Sequence, residues 1–170
     1  MNQNPIPKPL NNSQLVAINR LVDEVGSRQL QDFGQINSDI KPDGTLITEC
    51  DRWSDNKIVK GLSKIVPGEG VLSEEGNKSI PTSSEYWVVD PLDGTTNFAA
   101  GIPYWSISVA RFVNGKPQSS FLIIPTLKKK FLAIKGEGVW LNKQKIFCDN
   151  NFQKSACVSL CSRSIKILQI

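Results

Sequence analysis

The sequence predicts an α+β fold in which helices pack on a mainly antiparallel sheet. Apolar residues repeat with helical spacing over roughly the first third of the chain, whereas later ones fall into short runs bounded by turn-forming residues. Helices followed by a series of short strands are typical of an antiparallel sheet covered by helices. At 170 residues the chain is long enough for one domain with a hydrophobic core.

Two helices are predicted before the strands. The first spans about residues 13–33, with Ser13 as the expected N-cap and Gly34 just past its end. A loop follows through residues 41–44. The second helix spans about residues 50–65 and ends before a proline, which disfavours a helical conformation in the residue preceding it.

The remaining apolar runs predict a meander of strands. These strands lie at residues 70–72, 86–89, 105–112, 121–124, 130–134, 139–141 and 158–160. The apolar run at 165–168 stands close to the end of the chain, without a cap or a polar tail. We therefore expect a truncated fold.

The absence of histidine restricts the chemistry that this chain can perform. It excludes Ser-His-Asp triads, Cys-His nucleophiles and metal sites with imidazole ligands. Carboxylates, hydroxyls, amines and hard metal ions remain. The cysteines lack C-x-x-C spacing, so buried free thiols are favoured over a zinc site or a disulfide; they are Cys50, Cys148, Cys157 and Cys161.

Charge and hydropathy argue against two classes of partner. The formal net charge is only +4, and the densest basic run, residues 128–130, predicts a solvated strand end or turn rather than a nucleic-acid interface. No stretch approaches the roughly 20 apolar residues that cross a bilayer. Residues 1–10 lack the apolar core of a signal peptide. We expect no nucleic-acid or membrane partner and a cytoplasmic location.

Residues 87–98, Trp-Val-Val-Asp-Pro-Leu-Asp-Gly-Thr-Thr-Asn-Phe, contain the most informative pattern. A buried strand is expected to end at Asp90, where Pro91 suits the second position of a tight turn. Asp90, the Leu92 carbonyl and Asp93 can then converge as an all-oxygen cluster, which a hard ion such as magnesium prefers. Taken alone, Asp-Pro and Asp-Gly are also common in purely structural turns.

The residues after this cluster have the properties of an anion site. Gly94 permits close approach of the backbone. If Thr95 and Thr96 begin a helix, their N–H groups and hydroxyls face an incoming anion, as helix N-termini do for phosphate.

Further acidic positions strengthen the metal-site hypothesis. Glu74 and Glu75 follow an apolar strand; adjacent acids are normally solvated because burial raises their pKa, and a dication removes that penalty. Asp51 lies at the start of the second predicted helix, where complementing the helix dipole is the alternative explanation. A purely structural explanation is adequate for any one of these acidic positions, but it is much less able to account for all of them together.

The order of these motifs resembles that of the inositol monophosphatase family. The chain contains K-x-D-x4-T-x2-D from Lys41 to Asp51, then S-E-E at 73–75, then the W-V-V-D-P-L-D-G-T-T-N-F block. Residues 138–142 resemble a later G-x-G-A-x-x-N turn of the family, with Val139 at the usual alanine. The resemblance implies a magnesium-dependent, lithium-sensitive phosphatase, whose fold here is the first half of an αβαβα layered sandwich.

The resemblance also implies a metal-binding role for each acidic position. Glu74, Asp90 and the Leu92 carbonyl would hold a first Mg²⁺, and Asp90 and Asp93 would share a second. Asp51 would lie in or near this metal shell as part of the catalytic group.

Catalytic and phosphate-binding roles follow from the same resemblance. Thr95 and Glu74 would orient the attacking water. The phosphate would be held by Gly94, Thr95 and Thr96, with Lys41 as a weaker candidate on the phosphate side. Glu75 is expected to pair with a cation.

The family has a second half that this chain lacks. That half supplies another metal-binding aspartate in a W-D-x-A-A-G segment, and none of the four tryptophans here is followed by aspartate. We therefore assign residues 1–150 to a metal- and phosphate-binding α+β domain and residues 151–170 to the start of a truncated C-terminal α/β domain. The resemblance implies a homodimer at full length.

The functional hypothesis is hydrolysis of a small phosphorylated metabolite, such as inositol monophosphate, by metal-activated water. Phosphate monoesters hydrolyse extremely slowly unaided, and paired metal ions lower the barrier without a covalent phosphoenzyme. Residues 96–98 resemble inositol- and histidinol-phosphate phosphatases, whereas residues 72–75 lean toward 3'(2'),5'-bisphosphate nucleotidases. A truncated non-catalytic remnant or an interaction module is the alternative from another class.

Overall fold

The computed structural model describes residues 9–35, 37–42 and 44–147. The helices are α1 (Asn12–Asp32), α2 (Glu49–Ile65) and α3 (Thr95–Ala99), and a 3-10 turn spans Pro125–Leu127. The strands are β1 (Ser38–Ile40), β2 (Leu46–Thr48), β3 (Gly70–Ser73), β4 (Glu85–Asp93), β5 (Ser106–Val113), β6 (Lys116–Ile124), β7 (Lys129–Ile134), β8 (Gly138–Leu141) and β9 (Gln144–Ile146).

Seven strands form one sheet in the order β3-β4-β5-β6-β7-β8-β9, and β1 pairs with β2 in a separate hairpin. The neighbours in the large sheet are antiparallel except for β3 and β4, which are parallel. The predicted α+β class with a mainly antiparallel sheet is therefore confirmed. The parallel pair departs from the predicted meander, because the connection after β3 returns the chain to the starting edge of that strand.

Both predicted helices are present, but the N-cap of α1 is Asn11 rather than Ser13. The Asn11 side chain accepts a hydrogen bond from the Gln14 N–H (2.9 Å), and the Gln14 side chain accepts one from the Asn11 N–H (3.0 Å). This capping box needs a Glu or Gln three residues after the cap, which Asn11 has and Ser13 lacks. The helix therefore starts slightly earlier than predicted.

The core lies between the helices and one face of the large sheet. Ile18 and Val22 of α1 and Ile58 of α2 belong to the same buried cluster as Ile107 and Val109 of β5. The β5 residues alternate between buried and partly exposed, as expected for a strand with one face on the core. Burying each such aliphatic side chain contributes roughly 1.5–3 kcal/mol, so this packing fixes the sheet relative to α1 and α2.

Three short strands were not predicted: β1, β2 and β9. β1 is exposed throughout and β9 nearly so, which removes the alternation of apolar and polar residues that marks a strand. The predicted loop at 41–44 falls between β1 and β2, which pair antiparallel, and the Lys41 carbonyl accepts from the Gly44 N–H (2.9 Å). That hairpin brings Lys41 to the region of the candidate site.

Other sequence predictions have mixed outcomes. Lys128 ends the 3-10 turn and β7 begins at Lys129, so the basic run is a strand end as predicted. Cys50 is buried and free, also as predicted. In the described part of the chain, no helix is both long and apolar enough to cross a membrane. Several predicted features lie outside the described residues: Asp43, Cys148, Cys157, Cys161, the strand at 158–160, the run at 165–168 and the domain at 151–170.

Candidate metal and phosphate site

The parallel pairing of β3 and β4 brings two acidic residues together. Ser73 of β3 lies opposite Val89 of β4, so the next residues, Glu74 and Asp90, emerge side by side. The Glu74 N–H donates to the Val89 carbonyl (3.1 Å), which extends the ladder by one bond. The parallel ladder ends at Ser73 and Val89, and the residues that follow on both strands are acidic.

Strand β4 does not turn at Pro91, so the predicted tight turn is wrong. The strand continues to Asp93, with Asp90 opposite Ser108 and Asp93 opposite Ser106, so that the register shifts between the two aspartates. This irregularity accommodates Pro91, whose missing N–H is tolerated at a bulge. The Leu92 N–H donates to Oδ1 of Asp90 (3.2 Å), which orients that carboxylate.

The charge on Asp90 is poorly compensated within the chain. Burial raises the pKa of Asp90 to about 7, and the charge of Glu74, a side-chain hydrogen bond with Glu74 and the charge of Asp93 act in the same direction. The Leu92 N–H opposes the shift only in part. Like-charged carboxylates in contact favour a proton or a cation between them.

The donor chemistry fits a magnesium ion, although the acids are not gathered around one. Among the described residues, no three acidic or cysteine side chains lie close enough together to hold a metal ion. The available donors are nevertheless all oxygens, from Glu74, Asp90, Asp93 and the Leu92 carbonyl. Oxygen donors and excess negative charge suit a hard divalent cation.

Asp51 combines a structural hydrogen bond with one to the candidate site. It is 1% exposed and closes the capping box of α2, since its Oδ2 accepts from the Thr48 N–H (2.8 Å) and from the Thr48 hydroxyl. Its Oδ1 accepts from the Thr95 hydroxyl (2.8 Å). The suggested complementarity with the helix dipole is therefore only part of its environment.

Thr95 links Asp51 to the bulge. Its Oγ1 lies 2.8 Å from Asp51 Oδ1 and 3.1 Å from the Leu92 carbonyl oxygen. A hydroxyl has one proton, and the shorter contact places it on the carboxylate side. The lone pairs of the Thr95 oxygen remain acceptors for a further donor such as water.

Helix α3 begins at Thr95, as the sequence predicts, and Gly94 precedes it in a left-handed conformation with φ of 106°. A Cβ at this position would lie 3.1 Å from the Tyr104 carbonyl oxygen, so a side chain would be both strained and crowded. Thr96 is exposed in the first turn. Gly94, Thr95 and Thr96 thus adjoin Asp93 at one end of β4.

Lys41 forms ion pairs with two glutamates. Its ammonium donates to Glu75 Oε1 at 2.5 Å and lies 3.7 Å from Glu74 Oε1. Burial would lower the pKa of Lys41, but the hydrogen bond to Glu75 and the charges of Glu75, Glu74 and Asp51 together raise it. The structure therefore pairs Glu75 with a cation and brings Lys41 beside Glu74.

Gln29 is a buried polar residue near the site that the sequence analysis missed. Its amide Nε2 donates to the Pro91 carbonyl (2.8 Å) and to Ser54 Oγ (3.1 Å), and its Oε1 accepts from Trp105 Nε1 (3.0 Å). The available signal was its helical spacing from Val22 and Val25. A glutamine on that apolar stripe is out of place unless it has buried partners.

Known proteins resemble this chain over most of its length. Residues 10–167 match the profile described as the Inositol monophosphatase family. A histidinol-phosphatase of Mycobacterium tuberculosis is 36% identical over 102 residues, which cover 60% of this chain and 39% of that protein.

Solved structures agree with these sequence matches. A Thermotoga maritima IMPase superposes with a TM-score of 0.75 at 30% identity, covering 83% of this chain and 55% of that one. An IMPase/NADP phosphatase complexed with Mg²⁺ and phosphate superposes with a TM-score of 0.67 at 26% identity, covering 79% of this chain and 51% of that one. The chain thus spans about half, or less, of the length of these relatives. The family match together with the shared fold establishes that this chain belongs to the inositol monophosphatase family.

Proposed function

We propose that this chain forms the metal- and phosphate-binding part of a magnesium-dependent phosphomonoesterase. Its substrate would be a small phosphorylated metabolite resembling inositol monophosphate. Family membership supports phosphatase activity, and the similar IMPase/NADP phosphatase was solved with Mg²⁺ and phosphate.

One observation carries the proposal: Glu74 and Asp90 lie side by side where the parallel pairing of β3 with β4 ends, next to the hydrogen-bonded pair Asp51 and Thr95. A purely structural strand end gains nothing from two adjacent carboxylates, because like charges destabilise each other. The same two carboxylates are favourable if a divalent cation binds them. Hence the charge pattern supports a metal site rather than a solvated loop.

The metal-binding roles would be as follows. Glu74, Asp90, Asp93 and the Leu92 carbonyl would hold Mg²⁺. When bound, Mg²⁺ supplies Lewis-acid chemistry and lowers the pKa of a coordinated water. The bound cation would also offset the repulsion among these carboxylates, so binding and local stability would be coupled.

Thr95 and Glu74 would position the attacking water. The Thr95 proton points toward Asp51, so its oxygen accepts a hydrogen bond from the water and orients a lone pair toward phosphorus. Glu74, with a half-exposed side chain, would accept the water's proton. Asp51 would act by holding the Thr95 hydroxyl in this orientation.

The phosphate would lie against residues 94–96. The N–H groups of Gly94, Thr95 and Thr96 and the Thr96 hydroxyl are donors suited to phosphate oxygens, whereas the Thr95 hydroxyl proton is already donated to Asp51. Lys41, 3.7 Å from Glu74, would add one positive charge on this side. Its present pairing with Glu75 limits that contribution.

The proposal is tested by measuring phosphate release from inositol 1-phosphate by the purified 170-residue chain in Mg²⁺ and in EDTA. Release that EDTA abolishes supports the proposal. Stabilisation by Mg²⁺ in thermal melts without release would support the metal site but favour the non-catalytic binding module. Failure of Mg²⁺ to change either property would contradict the metal site.

Histidinol phosphate is the second candidate substrate. The histidinol-phosphatase of Mycobacterium tuberculosis shares 36% identity with the matched segment, which favours this substrate over a bisphosphate nucleotide. The two hypotheses are separated by comparing kcat/KM for histidinol phosphate and inositol 1-phosphate under the same Mg²⁺ concentration. A preference above tenfold for histidinol phosphate would replace the first substrate assignment.

A further inference from the structure

We propose that Gln29 is a positioning residue that sets the geometry of the bulge from Asp90 to Asp93. This inference rests on the proposed function, because it concerns how α1 prepares the metal-binding segment. Gln29 is fully buried and more than 60 positions away from Pro91 in sequence, yet its amide donates to the Pro91 carbonyl at 2.8 Å.

The bulge creates the polar group that Gln29 satisfies. Pro91 lies in the register shift between Asp90 and Asp93, where no β5 residue stands opposite it. It is buried, so its carbonyl is remote from water. A buried carbonyl without a partner is costly, and the Gln29 amide is the donor found there.

The orientation of the Gln29 amide follows from its partners. A carbonyl oxygen only accepts and an indole N–H only donates, so Nε2 must face Pro91 and Oε1 must face Trp105. The second Nε2 proton goes to Ser54 Oγ at 3.1 Å. The side chain therefore has one arrangement that satisfies all three neighbours, and it holds them at fixed distances.

These three neighbours belong to the segments that carry the candidate ligands. Pro91 stands between Asp90 and Leu92 in β4. Trp105 directly precedes Ser106, the β5 residue opposite Asp93. Ser54 lies on α2, three positions after Asp51. One glutamine thus connects both sides of the bulge and the helix that bears Asp51, and it holds the ligand segment without touching the metal.

The test compares wild type with Gln29→Met, which keeps the approximate volume and removes all three hydrogen bonds. Mg²⁺ affinity is measured by calorimetry at a temperature at which each protein is folded. We expect about tenfold weaker binding, as for loss of residues that orient metal ligands. Val22→Ala is the matched control, because it removes buried volume from the same helix within the main core cluster, whereas Leu92 of the bulge belongs to a separate cluster.

A second measurement concerns the metal-free protein. Hydrogen exchange of the amides at residues 92–95 should be faster in Gln29→Met than in Val22→Ala. The two variants are compared under conditions in which their free energies of unfolding are equal. If Gln29→Met does not fold, Gln29→Asn replaces it, since this change keeps a neutral amide but shortens the side chain by one methylene, so that it no longer spans Pro91 and Trp105. The same weaker binding and faster exchange are expected.

The outcomes separate this inference from the proposed function. Normal Mg²⁺ affinity and normal exchange at 92–95 in the Gln29 variant overturn the positioning role alone. If the wild-type chain does not bind Mg²⁺, the proposed function fails, and the exchange data still decide whether Gln29 organises the bulge. Weakened binding and faster exchange in Gln29→Met but not in Val22→Ala support the inference.

Discussion

The two ends of the parallel β3–β4 pair hold buried charge in opposite ways. At the starting end, the largely buried Arg111 guanidinium donates through Nε to both Glu69 carboxylate oxygens at 3.0 and 2.9 Å. At the other end, Glu74 stands against Asp90, whose pKa rises to about 7. The fold neutralises charge within the chain at one end and leaves like charges together at the other.

Lys41 does not correct this imbalance. Its ammonium pairs with Glu75 and lies within 3.7 Å of Glu74, so one cation serves two carboxylates. Asp90 is left facing Glu74 and Asp93. Structural charge is therefore paired internally, whereas the charge of Asp90 is not, which is the pattern expected of a cation site.

The largest effect is expected at the internally paired end. Glu69→Gln removes the negative charge that pairs with the buried Arg111 guanidinium. The change should lower the free energy of unfolding by about 3–5 kcal/mol, because the buried positive charge then lacks the counter-charge of Glu69. Chemical denaturation measures this loss. Mg²⁺ affinity should not change while the protein remains folded.

The double variant Glu69→Leu/Arg111→Met is the control for that prediction. It replaces both charges with apolar side chains, so most of the stability should return. A Glu69→Gln protein with wild-type stability, or one with altered Mg²⁺ affinity, would break the proposed contrast between the two ends.

Asp93→Asn should have the opposite profile at the site end. Asp93 is exposed, so its replacement should change the free energy of unfolding by less than about 0.5 kcal/mol. Loss of a metal ligand should reduce phosphatase activity and Mg²⁺ affinity by at least about 100-fold. Asp39→Asn, another exposed acid, is the matched control. Near-normal turnover in Asp93→Asn would contradict the ligand assignment.

Local sequence patterns predicted the elements of this fold better than their pairing. Periodicity placed α1, α2 and the central strands, because burial of one face imposes a regular spacing. The contact of Glu74 with Asp90 depends instead on β3 and β4 being parallel, which no local pattern specifies. The acids could be recognised as candidates, but their proximity could not.

The bulge and Gln29 show a second limit of local inference. Pro91 after Asp90 favours a tight turn in isolation, and pairing with β5 overrides that preference. Gln29 interrupts an apolar stripe, yet its partners at Pro91 and Trp105 are far away in sequence. Features held by long-range hydrogen bonds therefore needed the three-dimensional structure.

Thr48→Ala should have an intermediate effect that sharpens the comparison, because Thr48 is structural but supports a site residue. The change removes the N-cap of α2 and one hydroxyl donor to Asp51, so we expect a loss of about 1–2 kcal/mol in unfolding free energy. Denaturant titration measures the loss. Thr48→Ser keeps the hydroxyl and is the control; equal destabilisation by both changes would exclude the capping explanation.

Asp55→Asn should produce the smallest effect and tests an acid that hydrogen-bonds Ser73 at the end of β3 but takes part in neither the Glu69–Arg111 pair nor the repulsion around Asp90. Burial raises the pKa of Asp55, and the hydrogen bond with the Ser73 hydroxyl opposes the shift only in part. The Oδ1 atom of Asp55 is buried and has no hydrogen-bond partner. The folded state therefore binds the Asp55 proton more tightly than the unfolded state does. This contribution to stability is present below the unfolded pKa and is lost as pH rises through the folded one.

An uncharged asparagine side chain in place of Asp55 removes that pH-dependent loss. At neutral pH we expect Asp55→Asn to raise the free energy of unfolding by less than about 1 kcal/mol, with the gain disappearing under acidic conditions. Thermal melts from acidic to neutral pH, compared with the exposed control Asp39→Asn, measure the difference. A variant that is less stable than wild type at neutral pH would mean that the Asp55 charge is compensated, as it is at the Glu69 end.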